Sequence, residues 1–431
     1  MDEVIYSSIS IGVEMASAST TTLDAALKEY YLPPAREQLN NENMMLAQIE
    51  RTSRHVEGRR AVLSLHVQRN SGVGARAEGG ALPTAGSQGY AEERVGLSYN
   101  YLRIRVSGQA MKATVNDSGS FVRALSSEMT QGVNDLRRDI NRQIFNDGNA
   151  AIAQCASVST ATITLTSPTT QQLNQLHVGM LIDVGTVSDA DAKGAGLEIA
   201  SIDKSAGTVT FTSNPTAGVG TSHFLFRQGN KKDADGSGAD AADGAGTLEL
   251  IGLAKIVGAS GTSLHNVDSS TYPSWSSTIN SNSGTNRAAT DTLFEKVIDD
   301  IDIESGKSPN LCVTTKGVRR NYAAQLKSMK RFNDGASLTL KGGFKALTID
   351  CGDVSLPLVA DRDCPANLAY LLNTNHIVQH EMSDWEWADY DGAVLRNRSG
   401  YDEWEAFMFK YHQLCTDQRN THGKIADLSE S

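Results

Sequence analysis

The sequence predicts an α+β protein, and three observations predict it. Residues 57–148 read as a long β-ribbon followed directly by one long amphipathic helix. Residues 150–230 read as a run of short strands at close spacing. From Thr290 onward, short strands alternate with two helices.

The elements follow in chain order. Residues 1–26 are rich in Ser, Thr and Ala and predict a mobile segment or an extended arm. Residues 27–54 hold a short helical piece broken by Pro33 and Pro34. The first ribbon strand is RRAVLSLHVQR (59–69), where Ala61, Leu63, Leu65 and Val67 alternate with polar partners. The tip, residues 70–89, is too rich in Gly, Ser and Ala to pack a core. The return strand is expected over 94–108, carrying Val95, Leu97, Tyr99, Leu102, Ile104 and Val106. Such a ribbon is marginal alone in water and needs a surface to lie on, most naturally a neighbouring subunit.

Asn116, Asp117, Ser118 and Ser120 offer N-caps for the helix. Phe121, Val122, Leu125, Met129, Val133, Leu136, Ile140 and Ile144 recur at steps of three and four, and Gly148 supplies the stop. Thirty residues make a rod of roughly 45 Å. Arg123, Glu128, Asp135, Arg138, Asp139 and Arg142 fall on the opposite, polar face.

After Gly148, ASVSTATITLTSP (156–168) alternates as a strand, and four further strand-like segments follow. They predict a small all-β barrel or sandwich, inserted at about 150–230. Residues 231–246 are a flexible acidic loop. Asp233, Asp235, Ser237 and Gly238 fit part of a calcium loop, but its twelfth position is Gly244 where a bidentate Glu is needed. Residues 258–289 read as another loop. Leu293, Phe294, Val297, Ile298 and Ile301 form a helix face, 309–315 a buried strand, and Val318, Tyr322, Leu326 and Met329 a second helix. The closing strands are SDWEWADYDG (383–392) and DEWEAFMFKYHQLCT (402–416).

The order ribbon, long helix, α/β region resembles the major capsid protein of tailed bacteriophages, with the Hong Kong 97-type fold. LKEYYLPPAREQLNNENMMLAQIE (27–50) resembles that family's N-terminal arm, and HVQRNSGVGARAEGGALPTAG (66–86) its extended loop. LRRDINRQIFNDG (136–148) resembles the end of its spine helix, and WEAFMFKYHQLCTDQRNTHGKIADL (404–428) its closing peripheral strand. The resemblance implies an N-terminal arm (1–57), an extended loop (58–108) and a peripheral domain with the spine helix (109–149). It further implies an inserted β-domain (150–230), a flexible connection (231–289), an axial domain (290–383) and peripheral return strands (384–431). The peripheral domain is then discontinuous. The implied function is an icosahedral shell of hexamers and pentamers around double-stranded DNA. Portal, scaffolding and decoration proteins are the implied partners, the virion the implied location, and the host bacterial cytoplasm the place of assembly. No fused scaffold segment is evident, so scaffolding would be separate or absent. An encapsulin-like nanocompartment shell is the alternative.

Composition is consistent with this. The chain has 431 residues, 39% hydrophobic with 38 Gly, and no run of 18 apolar residues. Its net charge is −11, unlike a protein built to grip DNA, whereas a wall that encloses DNA need not bind it. The acidic start, MDEVIYSS, has no basic region of a secretory signal. The five cysteines, Cys155, Cys312, Cys351, Cys364 and Cys415, are scattered without CxxC and predict free thiols.

No catalytic set emerges, so neither enzyme activity nor a cofactor is expected. GKS at 306–308 lacks the first P-loop glycine, position 301 being Ile. His376 and His380 are four apart in a segment that reads as extended, which sets them about 13 Å apart and argues against a metal. Asp361 and Asp363 read as a solvated turn. Trp385, Trp387 and Trp404 read as core or interface anchors. Residues 29–111 contain no lysine, although the chain has 16, yet hold ten arginines. Arginine suits bidentate interface pairs. Some members of the capsid family cross-link subunits through a lysine in the extended loop, and this loop lacks it. The expectation is a shell without such bonds, with Arg59, Arg60, Arg76, Glu78, Arg94, Arg103 and Arg105 at subunit contacts.

Overall fold

The computed structural model describes residues 44–54, 56–58, 60–109, 118–187, 192–215, 218–231, 248–328, 338–339, 345–351, 354–389, 392 and 394–430, and side chains of the long helix from residue 128 onward. The N-terminal arm up to residue 43, Arg59, Asn116, Asp117, Met329 and the half-matched calcium loop lie outside the described residues. The architecture is mixed α and β. The chain divides into two compact units, one including 101–133 and 385–409, the other 38–100, 134–384 and 410–431.

A short helix, α1 (Met44–Gln48), buries Met44, Met45 and Leu46, and β1 (Glu50–Thr52) follows. Next come β2 (Val56–Glu57), β3 (Arg60–Gln68) and β4 (Gly89–Gly96), an antiparallel three-stranded sheet. The register runs from Arg60↔Gly96 to Gln68↔Gly89. Ala61, Leu65 and Val95 are buried while Val62 and Tyr90 face out, as a period of two requires. The return strand differs from expectation. It breaks at buried Leu97, and β5 (Ser98–Ser107) leaves the ribbon to pair in another sheet. The apolar phase explains the break: Val95 and Leu97 are odd-numbered, Leu102, Ile104 and Val106 even, and a single strand cannot bury both sets on one face.

The long helix, α2 (Ser118–Phe145), has 28 residues and spans about 42 Å. Met129, Val133, Leu136, Ile140 and Ile144 are buried, as their spacing predicts. Asp139 and Arg142, expected on a solvated face, are buried as well. Gly132 lets the Leu102 methyls approach the helix, since a Cβ there would lie 3.2 Å from both. Gly148 follows the helix at φ 91.

The β-rich stretch closes into a six-stranded barrel. Its strands are β6 (Ala151–Ser159), β7 (Thr162–Leu165), β8 (Leu181–Gly185), β9 (Ala192–Asp203), β10 (Thr208–Phe211) and β11 (Phe224–Arg227), in the order β10-β7-β6-β11-β8-β9. Helix α3 (Thr170–Gln175) carries a capping box from Thr169 and Gln172. Cys155, Ile163, Ile182, Val184, Val209 and Leu225 fill the interior. Register shifts in the β6–β7, β6–β11 and β8–β9 pairs help the strands curl shut.

Residues 258–289, expected as loop, hold short elements. After α4 (Leu253–Ile256) come β12 (Ser263–Leu264) and β13 (Val267–Asp268), joined by His265 and Asn266 at φ 47 and 69. A two-residue turn with both φ positive usually advertises itself by glycine, which this one lacks. Then β14 (Thr278–Asn280) enters a seven-stranded sheet.

The α/β region supplies α5 (Asp291–Ser305), capped by Thr290 and ended by Gly306 at φ 68, then β15 (Leu311–Thr314) and α6 (Lys316–Ser328). Strands β16 (Leu338–Thr339), β17 (Lys345–Cys351), β18 (Val354–Ala360) and β19 (Ala369–Leu372) follow. The last elements are β20 (Ile377–Trp387), β21 (Arg396–Asn397), β22 (Glu403–Thr416) and β23 (Gly423–Ile425). The seven-stranded order is β14-β23-β19-β15-β18-β17-β16, with Phe294, Val297, Ile298 and Ile301 of α5 in its core. Strand β23 therefore lies inside this sheet rather than with the return strands. A separate sheet has the order β1-β20-β22-β21, with β5 also on β22.

Candidate assembly interface

The ribbon tip is a built loop. Asn70 Oδ1 accepts from Gly72 N at 2.7 Å. Across the neck, a Cβ on Gly86 would lie 2.4 Å from Asn70 Oδ1 and 2.7 Å from Ser71 Oγ, so the two limbs touch only because that residue is glycine. Beyond the neck, Arg76 donates to the carbonyls of Ala75 (2.9 Å) and Ala81 (3.0 Å). Val73 and Leu82 stand 86% exposed. Below the tip, His66 bonds Gln88 at 2.7 Å and packs on Tyr90.

The residues expected at contacts fall into three places. At the tip, Arg76 is bound to its own loop and Glu78 is exposed. On the ribbon, Arg60 is half-buried opposite Gly96, and Arg94 reaches Glu92 at 3.0 Å while its N–H donates to His265 O. On β5, Arg103 and Arg105 converge on Glu405, with Arg103 Nε at 3.1 Å and Arg105 Nε at 3.8 Å. The Arg103 hydrogen bond, aided by the charges of Arg105 and Arg398, holds the Glu405 carboxyl below its ordinary value. Arg59 lies outside the described residues.

A buried polar network escaped sequence reasoning. Arg142 bonds Asp139 at 3.0 Å and also grips Glu249. Arg227, the last residue of β11, reaches Asp139 at 3.4 Å. Asn230 donates to Glu249 at 2.7 Å, and Gln143 to Asp139 and Asn100. Leu250 N donates to Gln143 Oε1 and Ile251 N to Gln413 Oε1. Burial pushes the Asp139 carboxyl up, but the charges of Arg142 and Arg227 outweigh it and hold it below its ordinary value. The exit side of the barrel is thus tied to the last turns of α2. The i,i+3 spacing of Asp139 and Arg142 was the visible signal, though the same spacing serves ordinary exposed pairs.

Three expectations about chemistry need correction or placing. Asp361 and Asp363 are not solvated: both are buried, and Asn141 Nδ2 donates to each, at 2.9 and 2.6 Å. Burial pushes the Asp361 carboxyl up. His376 sits in a 3-10 turn before β20, with Nδ1 2.7 Å from Asp417 and Nε2 2.8 Å from Lys307 Nζ, while His380 is buried. Among the described residues no group of three or more His, Cys, Asp or Glu has a metal-holding arrangement. Trp385 and Trp387 are buried and Trp404 half-buried. All five cysteines are free, and burial pushes Cys155 up to about 12 and Cys351 to about 11. No described helix is long and apolar enough to cross a membrane.

No protein-family model and no curated protein matches the chain. Among solved structures, it is similar to the capsid asymmetric unit of cyanophage A-1(L), at 13% identity and TM-score 0.49, over 90% of this chain and 93% of that one. It is also similar to the capsid of a native GTA particle, at 11% identity and TM-score 0.43, over 89% and 90%. A third likeness is to the holo-SrpI encapsulin complex from Synechococcus elongatus PCC 7942, at 8% identity and TM-score 0.41, over 91% and 89%.

Proposed function

We propose that this chain is the shell subunit of a tailed bacteriophage, assembling into hexamers and pentamers around double-stranded DNA. The observation that carries the reading is the ribbon. Its tip displays Val73 and Leu82 to solvent on a loop already braced by Asn70, Gly86 and Arg76, so docking would order little that is not ordered already. The order of elements supports the same reading, with the chain passing from ribbon to long helix and returning at its end to sheets laid down earlier. The domain limits given above, the virion as location, the host cytoplasm as place of assembly, and portal, scaffolding or decoration partners belong to this proposal.

Within it, Arg60, Arg76, Glu78, Arg94, Arg103 and Arg105 are contact residues, Arg59 with them. Arg103 and Arg105 are exposed and paired to Glu405, and an exposed pair is worth about 0–1 kcal/mol. Substituting either is expected to leave the subunit folded while weakening contacts to its neighbour. Assembled particles boiled in SDS should run as single subunits, because residues 29–111 hold no lysine. A ladder of covalent multimers would contradict this.

The ribbon is tested by shortening it. Gln68 pairs with Gly89, so Asn-Gly can replace residues 69–88 as a two-residue turn. The shortened subunit is expected to fold but to lose assembly, read by light scattering on a sizing column. Particles of normal mass would sink the reading. Should assembled shells hold a cargo protein and never DNA, the nanocompartment reading replaces the phage one.

A further inference from the structure

Glu93 lies in β4 at the root of the ribbon, and its side chain is 0% exposed. Its Oε1 accepts from the Cys415 thiol of β22 at 3.5 Å, and its Oε2 has no partner among the described residues. Across the ribbon, Leu63 is its opposite number in β3. Beside it, Ala61, Val95 and Cys415 pack into an apolar cluster with Val56 and Leu63.

The charged groups around it offer no relief. From the segment after β22, Asp417 adds a like charge, and Arg419 is the nearby cation. Arg419 is itself 0% exposed, and its five N–H groups are spent elsewhere. Nε bonds Ile256 O, Nη1 bonds Thr262 O and Trp275 O, and Nη2 bonds Lys255 O and Thr262 Oγ1, at 2.8 to 3.2 Å. From the β12–β13 turn, His265 accepts the Arg94 N–H through its carbonyl, and burial holds its imidazole neutral with a pKa of about 4. From β3 the facing residues are apolar.

We propose that Glu93 is a proton-operated latch: as a neutral acid it lets the ribbon root lie on β22, and its ionisation lifts the root away. A lone carboxylate cannot stay in such a slot, since an uncompensated buried charge costs far more than an unmet hydroxyl. Burial pushes the Glu93 carboxyl well above its ordinary value, Asp417 adds to the push, and Cys415 and Arg419 oppose it only in part. The sign follows. The seat is strongest below the ordinary carboxyl range near pH 4.5, weakens as pH rises, and levels off above the seated carboxyl's own pKa. Between those limits, opening becomes about tenfold easier per pH unit. The latch stands on the ribbon root alone and holds whether or not the chain forms shells.

The test is hydrogen exchange on the full-length chain from pH 5 to pH 8, comparing wild type with Glu93→Gln at each pH. Comparison at equal pH cancels the intrinsic exchange rate. The ratio of opening constants, wild type over variant, is read at the amides of residues 61–65 and 91–95. It is expected to climb about tenfold per pH unit from pH 5 until the seated carboxyl ionises, and to level off above that point. A ratio constant within threefold overturns the latch. Should Glu93→Gln fail to fold, Glu93→Leu takes its place, because it fills the same slot without a titrating group.

Discussion

Replacing Gly252 by alanine places a methyl group against the open end of the long helix. A Cβ on Gly252 would lie 2.3 Å from the carbonyl oxygen of Ile144, 2.4 Å from that of Gln143 and 2.5 Å from that of Asn146. Ordinary contact begins near 3.4 Å, so the segment leading into α4 must retreat by about 1 Å. None of the three atoms belongs to a side chain that can swing aside. The retreat also stretches Leu250 N–Gln143 (3.2 Å) and Ile251 N–Gln413 (2.8 Å), and it pulls Glu249 from Arg142. Overpacking costs about 1–3 kcal/mol, and each hydrogen bond lost about 1 kcal/mol more. The expected loss is about 3–5 kcal/mol. At roughly 2 °C per kcal/mol for a large domain, the midpoint falls by about 6–10 °C. Gly252 has φ −95, which any residue adopts, so backbone preference contributes nothing. At a relaxed position the same change stabilises by up to about 1 kcal/mol. Calorimetry on wild type and Gly252→Ala therefore separates the cases. A variant as stable as wild type, or more so, refutes the close approach on which the barrel's mounting depends.

Arg142→Met leaves Asp139 and Glu249 buried without their shared cation and should cost about 3–5 kcal/mol in urea unfolding. Arg142→Lys should recover little of it, because an ammonium cannot replace the planar fork between two carboxylates. Deleting residues 419–431 removes β23 from between β14 and β19 and removes Glu430, which accepts from Thr315 Oγ1 at 2.7 Å. The expected product is insoluble, and a soluble chain with native circular dichroism would contradict the sheet order. Ellman's reagent at pH 8 should find no fast thiol in the native chain and five in denaturant, since burial raises Cys155 to about 12 and Cys351 to about 11. Two or more thiols reacting at once in native protein would count against that burial.

How legible the fold was follows from which signals are periodic. Ala61, Leu65 and Val95 on the ribbon, Met129 to Ile144 on α2 and Phe294 to Ile301 on α5 all lie where their spacing put them. The break at Leu97 shows in the sequence as a change of apolar phase, which the run of β-forming residues from 94 to 108 masks. The misread polar residues share one cause. Asp139, Arg142, Asp361 and Asp363 look solvated one at a time, and partners distant in sequence complete their burial. Glu249 lies 107 residues from Arg142, and Asp361 lies 220 from Asn141. The same distance hid Glu93, whose partner Cys415 is 322 residues away. Ribbon and helix come from local patterns, whereas the mounting of the barrel and the ribbon root depends on pairs that no local pattern contains.

A ribbon-bearing subunit of this kind is proposed to build a shell. Negative-stain electron microscopy of the purified full-length chain, with a sizing column alongside, tests it most directly. Closed shells, or rings of five and six, are the result the account predicts. A chain that stays monomeric while its ribbon is well ordered would contradict it.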